Sequence, residues 1–335
     1  MEKMISRDLI SNPAFKKTDL IILFGKYLSH LIILLIICSI LAAGCGKSEE
    51  PKRVSLEKRE NTPISKGERG EKNIRIAVGG MVTPKEGLAY YKHFLDYVGE
   101  KLGEHVDYVD REDYAEINNL LRKGALDAAF VCSGPYVDGH KDFGLELLVA
   151  PQAYGVSVYY SYIIVAKDST IDNFEGLRGK RFAFTDPLSN TGKLVPTFML
   201  AKMNETPDTF FQSYIFTKTH DKAIKAIAQG IVDGASVDSL VWEYLNRVNP
   251  EFTSRTRIIK KSPPYAIPPV VVPHGLNARL KEQLRQIFLN AHNDEKGREL
   301  LKRMMIDRFI VIDDNAYDSI REMKAWLEKQ RQEKK

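Results

Sequence analysis

Short apolar segments alternate with amphipathic segments from Ile74 to the end of the chain. The apolar segments are four to six residues long and rich in Val, Ile, Phe and Ala, a composition typical of buried strands. Polar or turn-forming residues follow most of them, which limits each segment to the length of one strand. The pattern predicts strands at 74–78, 106–109, 126–131, 145–149, 181–184, 213–216, 232–237 and 257–260.

The amphipathic segments repeat their apolar residues at helical spacing. Between the first two strands, Tyr91, Phe94, Leu95, Val98 and Leu102 follow one face of a helix that Thr83-Pro84 would begin. A further helix entry is predicted at 133–136, after the third strand. The complete helices are predicted at 84–102, 114–122, 189–203, 221–229, 240–247, 277–292 and 314–329.

Regular alternation of strands and helices predicts an α/β fold with mostly parallel sheets and helices on both faces. The segments 156–165 and 268–272 are extended, and we interpret them as two hinge crossings between two lobes. The first lobe would comprise 74–158 and 269–335, and the second 159–268 with the crossings. A chain of 335 residues is long enough for two such lobes, which would form a hinged clamshell.

The N-terminal part has a different character. Residues 31–43 are a short apolar run that resembles the hydrophobic region of a signal peptide. The run ends in Leu41-Ala42-Ala43-Gly44-Cys45, which resembles a bacterial lipobox, where the cysteine thiol receives a diacylglycerol. We predict a signal peptide at 1–44, lipidation at Cys45 and a flexible, charged tether at 45–73. An uncleaved membrane anchor is the alternative, and either interpretation places the remaining chain outside the cytoplasmic membrane.

Composition narrows the classes of partner. The chain is 44% hydrophobic and 28% charged, with a net charge of +5, and it has no long basic stripe with interleaved aromatic residues. A nucleic-acid partner is therefore not predicted. Once Cys38 is removed with the signal peptide and Cys45 is lipidated, Cys132 is left alone, and we interpret it as a buried free thiol. No cluster of metal ligands stands out, so no metal or other cofactor is predicted.

In open α/β sheets, ligands bind beyond the carboxyl ends of the strands, where the next helix presents unpaired N–H groups. After the strand at 181–184, Ser189 and Thr191 offer hydroxyl donors and Gly192 allows a close backbone approach. This turn can provide the convergent donors that a tetrahedral oxyanion needs. Ordinary helix capping by Ser189 or Thr191 explains the same residues equally well.

Four other strand ends carry candidate ligand contacts. His220 follows the strand at 213–216 and could donate to an anion oxygen, whereas Asp238 could accept a proton from the ligand. Such a carboxylate would repel a fully ionised oxyanion such as sulfate. In the first lobe, Tyr114, Ser133 and Tyr136 occupy matching places. Each of these residues could equally be a cap or a core residue.

Taken together, these motifs resemble the phosphate, phosphite and phosphonate-binding proteins of ABC transporters, which have the type II periplasmic-binding-protein fold. The resemblance extends over about 74–325, and its most specific part is FEGLRGKRFAFTDPLSNTGKLVP at 174–196. It implies that Ser189, Asn190, Thr191 and Gly192 grip the oxyanion. It also implies ligand contacts through the motifs Thr219-His220-Asp221, Val237-Asp238-Ser239 and Asp113-Tyr114-Ala115.

The resemblance predicts a monomeric, lipid-anchored binding protein that delivers a small oxyanion to an ABC transporter permease. A receptor that reports an anion to a membrane sensor kinase is the alternative, and it would need a partner because the chain has no kinase segment. An enzyme is not predicted, because Ser189 and His220 have no assured orienting acid to complete a triad. The sequence does not rank phosphate, phosphite and phosphonates as ligands.

Overall fold

The computed structural model describes residues 73–79, 84–111 and 113–333 of the protein. The predictions for the signal peptide 1–44, for Cys45 and for the tether up to residue 72 concern residues outside these ranges. The described strands are β1 Ile74–Val78, β2 Val106–Asp110, β3 Ala128–Phe130, β4 Glu146–Gln152, β5 Val158–Tyr159, β6 Ser161–Ala166, β7 Arg181–Phe184, β8 Ser213–Phe216, β9 Gly234–Asp238, β10 Thr256–Lys261, β11 Tyr265–Ala266, β12 Val270–Val272 and β13 Arg308–Ile310. The described helices are α1 Pro84–Leu102, α2 Tyr114–Arg122, α3 Ser133–Phe143, α4 Val195–Lys202, α5 Pro207–Phe210, α6 His220–Ala228, α7 Ser239–Val248, α8 Ala278–Asn290, α9 Glu295–Arg303 and α10 Asp318–Glu333. None of the helices in the described ranges has the length and apolarity needed to cross a membrane.

Two open sheets organise these elements. The first has the strand order β13-β4-β12-β3-β1-β2, and the second has the order β10-β6-β9-β7-β8. Helices pack against both sheets, so the predicted α/β class is confirmed, as is the clamshell of two lobes, each built on one sheet. The first lobe is built on the six-stranded sheet, and the second lobe is built on the five-stranded sheet.

The sheets are mixed: most strands of each sheet run in the same direction, as predicted, but β12 and β13 in the first sheet and β6 in the second run against them. β1 pairs in parallel with β2 and β3, and β7 pairs in parallel with β8 and β9. In contrast, β12 is antiparallel to both β3 and β4, and β6 is antiparallel to both β9 and β10. The physical reason is connectivity: β6 and β12 enter their sheets from the hinge, so they run opposite to strands that a helix precedes.

The two crossings between the lobes lie side by side. β5 and β11 form a short antiparallel ribbon in which Tyr159 is opposite Tyr265 and Val158 is opposite Ala266. The Ile267 N–H extends this ribbon by donating to the Ser157 carbonyl at 3.1 Å, an ordinary length for a backbone hydrogen bond. The hinge is thus a paired strap of two strands.

Each lobe has its own apolar core. In the first lobe, Phe94, Phe288 and Phe309 pack with ring centroids 4.9–5.7 Å apart beneath the sheet, and Phe130 joins them from β3. In the second lobe, separate clusters cover the two faces of the sheet, one around Ile224 and the other around Phe182. Because both faces are covered, the polar strand ends at the carboxyl edge remain as the place for a ligand.

Candidate ligand-binding site

The turn after β7 is wider than the regular helix start that was predicted there. Residues Asn190–Leu194 form a π-helical turn, and the regular helix α4 begins only at Val195. Pro196 therefore lies in the first turn of α4, where its missing N–H leaves no hydrogen bond unmade. Ser189 caps the π turn, because its Oγ accepts a hydrogen bond from the Gly192 N–H at 3.0 Å. The capping interpretation of Ser189 is thus correct, although its O–H can still donate.

The second lobe holds this turn by its backbone. Ser161 on β6 and Ser236 on β9 both donate to the Thr191 carbonyl, at 2.8 and 2.6 Å. Their hydroxyls also contact each other at 2.8 Å. The backbone of Thr191 is therefore fixed by two neighbouring strands, which positions its side chain independently of any ligand.

Two polar atoms of this turn are buried without a partner among the described residues. They are Thr191 Oγ1 and Asn190 Oδ1, and both side chains are wholly inaccessible to solvent. Asn190 Nδ2 donates to the Tyr159 hydroxyl at 3.0 Å. A half-turn of the amide would let Tyr159 donate instead and would leave both amide hydrogens for an anion. Buried polar atoms of this kind are costly unless a bound group satisfies them.

His220 and Asp238 adjoin the turn from the next two strand ends. The Asp238 N–H donates to His220 Nδ1 at 3.0 Å, so the proton of the neutral ring is on Nε2, which is a donor. Burial lowers the pKa of His220 to about 3. Burial also raises the pKa of Asp238 to about 7, against the opposing effect of hydrogen bonds from the N–H groups of Leu240 and Val241. The pair thus offers one neutral donor and one carboxyl that titrates near neutrality.

The first lobe meets these residues across the cleft. The Tyr114 N–H at the start of α2 donates to Asp186 of the second lobe at 3.2 Å. At the start of α3, Gly134 lies so close to the turn that an added Cβ would be 3.2 Å from the Asn190 nitrogen. Ser133 donates to the Ala266 carbonyl of the hinge at 2.8 Å. The starts of α2 and α3 are therefore in direct contact with the second lobe.

The sequence analysis missed three residues that border this group. Tyr159 of the hinge accepts from Asn190, and its hydroxyl lies 3.9 Å from the Cys132 sulfur. Burial raises the pKa of the Cys132 thiol, and the N–H groups of Asn190 and Gly134 point to its sulfur. Tyr91 on α1 is buried, and its pKa is raised by burial and further by the charges of Tyr108 and Asp238. Cys132 directly follows β3, so the rule that identified Ser133 could have found it.

The structure shows unpredicted contacts for two of the predicted site residues. The Tyr136 hydroxyl donates to Asp314, and its ring packs edge-on against Tyr317 at 4.7 Å, so its polar atom is not brought to the turn. Asp314 also forms an ion pair with Arg321, which helps to keep its carboxyl ionised as an acceptor for Tyr136. Gly192 is also required by a close approach that was not predicted: a Cβ there would overlap the Thr185 side chain.

The resulting group consists of neutral donors around the Asp238 carboxyl, while the second buried carboxyl, Asp186, is engaged by the Tyr114 and Leu188 N–H groups. Tyr114, Asn190, Thr191 and neutral His220 carry no positive charge, and helix starts supply the remaining N–H groups. Within the described ranges, no group of three or more His, Cys, Asp or Glu residues could hold a metal ion. The arrangement can therefore bind a small anion by hydrogen bonds, with one acceptor left for a proton of the ligand.

Comparison with known proteins identifies the family of the chain. The sequence model of the family described as ABC transporter, phosphonate, periplasmic substrate-binding protein matches residues 76–317. The chain belongs to this family. The family members are transport components that bind their substrates outside the cytoplasm, so the predicted family and its extracytoplasmic location are confirmed.

Individual relatives agree with this membership. The chain is 25% identical over 268 residues to the phosphonates-binding periplasmic protein of Escherichia coli K12, covering 78% of this chain and 79% of that protein. The binding protein of an ABC phosphonate transporter from Pseudomonas aeruginosa has a similar fold, with a TM-score of 0.74, 24% identity and coverage of 78% of this chain and 88% of that one. PhnD1 of Prochlorococcus marinus, solved with methylphosphonate, has a TM-score of 0.70 and 20% identity, with coverage of 78% of this chain and all of that one.

Proposed function

We propose that the chain captures a phosphorus oxyanion that still carries one proton, a phosphonate or a phosphate, and delivers it to the permease of an ABC transporter. The observation that carries the proposal is the combination of an unpartnered, buried Thr191 hydroxyl with the buried Asp238 carboxyl, which faces no cationic side chain in its pKa shift, in one interlobe group. The hydroxyl supplies a donor for an anion oxygen. The carboxyl accepts the hydrogen of a P–OH group, which a fully ionised anion such as sulfate does not have.

The donors of the two lobes explain why binding would close the clamshell. Thr191 and His220 belong to the second lobe, whereas the starts of α2 and α3 belong to the first. An anion that binds both sets of donors favours the closed arrangement over the open one by its differential affinity for the two. A permease can then distinguish the loaded protein from the empty one by shape. Ser189, Asn190, Tyr114 and Ser133 would support the same site through their backbone or side-chain donors, and Gly192 would support it by holding the turn through its hydrogen bond to Ser189.

A substitution at Thr191 tests the site. Thr191→Val removes the hydroxyl at nearly constant volume, and we expect it to weaken phosphonate binding about 10-fold to 100-fold, the range for a hydrogen bond to a charged group. Isothermal titration calorimetry of the purified full-length protein with phosphate, phosphite, methylphosphonate and sulfate would measure this. Because the ligand-free hydroxyl lacks a partner among the described residues, the free energy of unfolding should be unchanged or slightly raised.

Thr191→Ser is the matched control, because it keeps the hydroxyl and loses only the methyl group. It should retain most of the affinity, and the double substitution Ser189→Ala/Thr191→Ala should lose binding more completely than either single change. Failure of the folded wild-type protein to bind any of the four anions would refute the proposed ligand class. Equal affinity for sulfate and methylphosphonate would contradict the role of Asp238.

We also propose that Cys45 anchors the protein to a membrane through a lipid. The support is the run at 31–43 followed by Leu41-Ala42-Ala43-Gly44-Cys45, and the extracytoplasmic location shared by the family. Cys45→Ser should move the protein from the membrane fraction to the soluble fraction and abolish labelling by a fatty-acid analogue. Cys38→Ser, in the same apolar run, should leave both properties unchanged. If Cys45→Ser remained labelled, the lipid would have to be elsewhere.

A further inference from the structure

An apolar cavity of about 40 Å³ lies between the lobes beside the proposed anion site. Tyr91, Phe130, Ile267 and Met305 line it from the first lobe and the hinge, and Leu240 and Tyr244 line it from helix α7 of the second lobe. The space is small, since one water molecule alone needs roughly 10–15 Å³ of such a cavity. The cavity therefore has room for about three atoms.

The cavity is adjacent to the acceptor of the anion site. The Leu240 N–H donates to Asp238 Oδ1 at 2.7 Å, so one cavity wall is built on the same turn as the carboxyl. Tyr91 lines the same cavity from the first lobe, and the charge of Asp238 makes a minor contribution to the raised pKa of its hydroxyl, after burial and the charge of Tyr108. A ligand bound at Asp238 is thus positioned to extend a substituent between Tyr91 and Leu240.

The lining also determines which substituents are favourable. The described residues around the cavity include no carboxylate, lysine or arginine, and they expose mainly carbon atoms. The Tyr154 hydroxyl, a polar atom of the lining, already contacts the Met305 sulfur at 3.1 Å. Burying an ammonium group among these atoms would be costly, because the lining holds no carboxylate to pair with it and Asp238 is already engaged by the P–OH group in the proposed function. An uncharged alkyl group would instead gain from leaving water.

We propose that this cavity holds the organic substituent of the ligand, and that the protein is selective for alkylphosphonates with an uncharged tail of about three carbon atoms. The proposal rests on the proposed function, because the phosphonate group must occupy the adjacent anion site. Inorganic phosphate and phosphite would leave the cavity unfilled. 2-Aminoethylphosphonate would place its ammonium group in an apolar space.

Titration calorimetry of the full-length protein with a homologous series tests the proposal. The ligands are phosphite, methylphosphonate, ethylphosphonate, propylphosphonate, hexylphosphonate and 2-aminoethylphosphonate. Affinity should rise about fourfold for each methylene from methyl to propyl, the change that the burial of one methylene group predicts. It should then fall for hexyl, which exceeds the cavity, and 2-aminoethylphosphonate should bind at least about tenfold more weakly than ethylphosphonate.

A substitution that fills the cavity tests whether the cavity itself causes the dependence of affinity on tail length. Leu240→Trp fills the space and should reduce the ratio of propylphosphonate to methylphosphonate affinity to about one or lower. Val248→Trp adds the same ring at an exposed position of the same helix and should preserve the wild-type ratio. Affinity that is independent of tail length in the wild-type protein, or tightest for 2-aminoethylphosphonate, overturns this inference while leaving the proposed function intact. Absence of binding by every member of the series would instead count against the proposed function itself.

Discussion

Gly192→Ala should destabilise the protein by about 3 kcal/mol and abolish measurable ligand binding, because the added methyl group has no space. A Cβ at this position would overlap the Thr185 hydroxyl and lie 2.8 Å from Thr185 Cβ. Neither the Thr185 side chain nor the Gly192 backbone can move to relieve this overlap. Thr185 is fully buried at the end of β7, and its N–H donates to the Gly192 carbonyl at 3.3 Å. The turn would have to move away from Ser161 and Ser236, and the Thr191 hydroxyl would move with it.

Urea denaturation and titration calorimetry on the same preparation would measure both effects. Gly176→Ala is the matched control: its new Cβ would meet the ends of the Ile171 and Asn173 side chains at 3.2 and 3.4 Å, far along the chain from the turn. This control should change the free energy of unfolding by less than about 1 kcal/mol and leave binding intact. If Gly192→Ala bound methylphosphonate as tightly as the wild-type protein, the turn at 189–194 would not be the anion site.

Local patterns predicted most strands and helices because burial of each element follows its own periodicity. α2 begins and ends where its apolar spacing predicts, and Asp113 caps it by accepting from the Glu116 N–H at 3.1 Å. By contrast, α9 and β13 were not predicted. α9 is strongly charged and buries little besides Gly297 and Leu301, and the three-residue strand β13 buries only Phe309. Elements this short or this polar carry too weak a pattern to be recognised alone.

Strand direction and exact hydrogen-bond partners depend on the tertiary fold. No local signal in 270–272 indicates that β12 is antiparallel to both of its neighbours. The position of the candidate site was predictable because strand ends alternate with helix starts in an α/β fold. The direction of the Tyr136 hydroxyl was not, since it depends on Asp314, which lies 178 residues away in the sequence. The clash that requires Gly192 to be a glycine likewise depends on Thr185 and became visible only in the packed turn.

The pH dependence of stability should change in opposite directions when Asp238 and His220 are substituted separately. The pKa of Asp238 is about 7 in the folded protein and about 4 when unfolded. Between these values the folded state holds a proton that the unfolded state lacks, so this residue makes stability fall as pH rises. The pKa of His220 is about 3 in the folded protein and about 6.5 when unfolded, so this residue makes stability rise with pH over nearly the same window.

In the wild-type protein the two contributions oppose each other between about pH 4 and 6.5, each with a slope of up to about 1.4 kcal/mol per pH unit. Asp238→Asn leaves the His220 contribution alone, and its stability should increase relative to the wild-type protein from pH 4.5 to 6.5. His220→Gln leaves the Asp238 contribution alone, and its relative stability should decrease over the same interval. Both substitutions are conservative, because Asn can cap α7 and a Gln oxygen can accept the Asp238 N–H.

Urea denaturation of the three proteins at pH 4.5, 5.5 and 6.5 would measure the slopes. All other titratable groups are common to the three proteins, so the differences between them isolate the two residues. Neither pKa shift is caused by the charge of the partner residue, since burial is the dominant cause of both. Substituting one of these residues should therefore leave the pKa of the other shifted. Parallel pH profiles for all three proteins would mean that Asp238 and His220 are solvated in the ligand-free protein and that burial does not shift their pKa values.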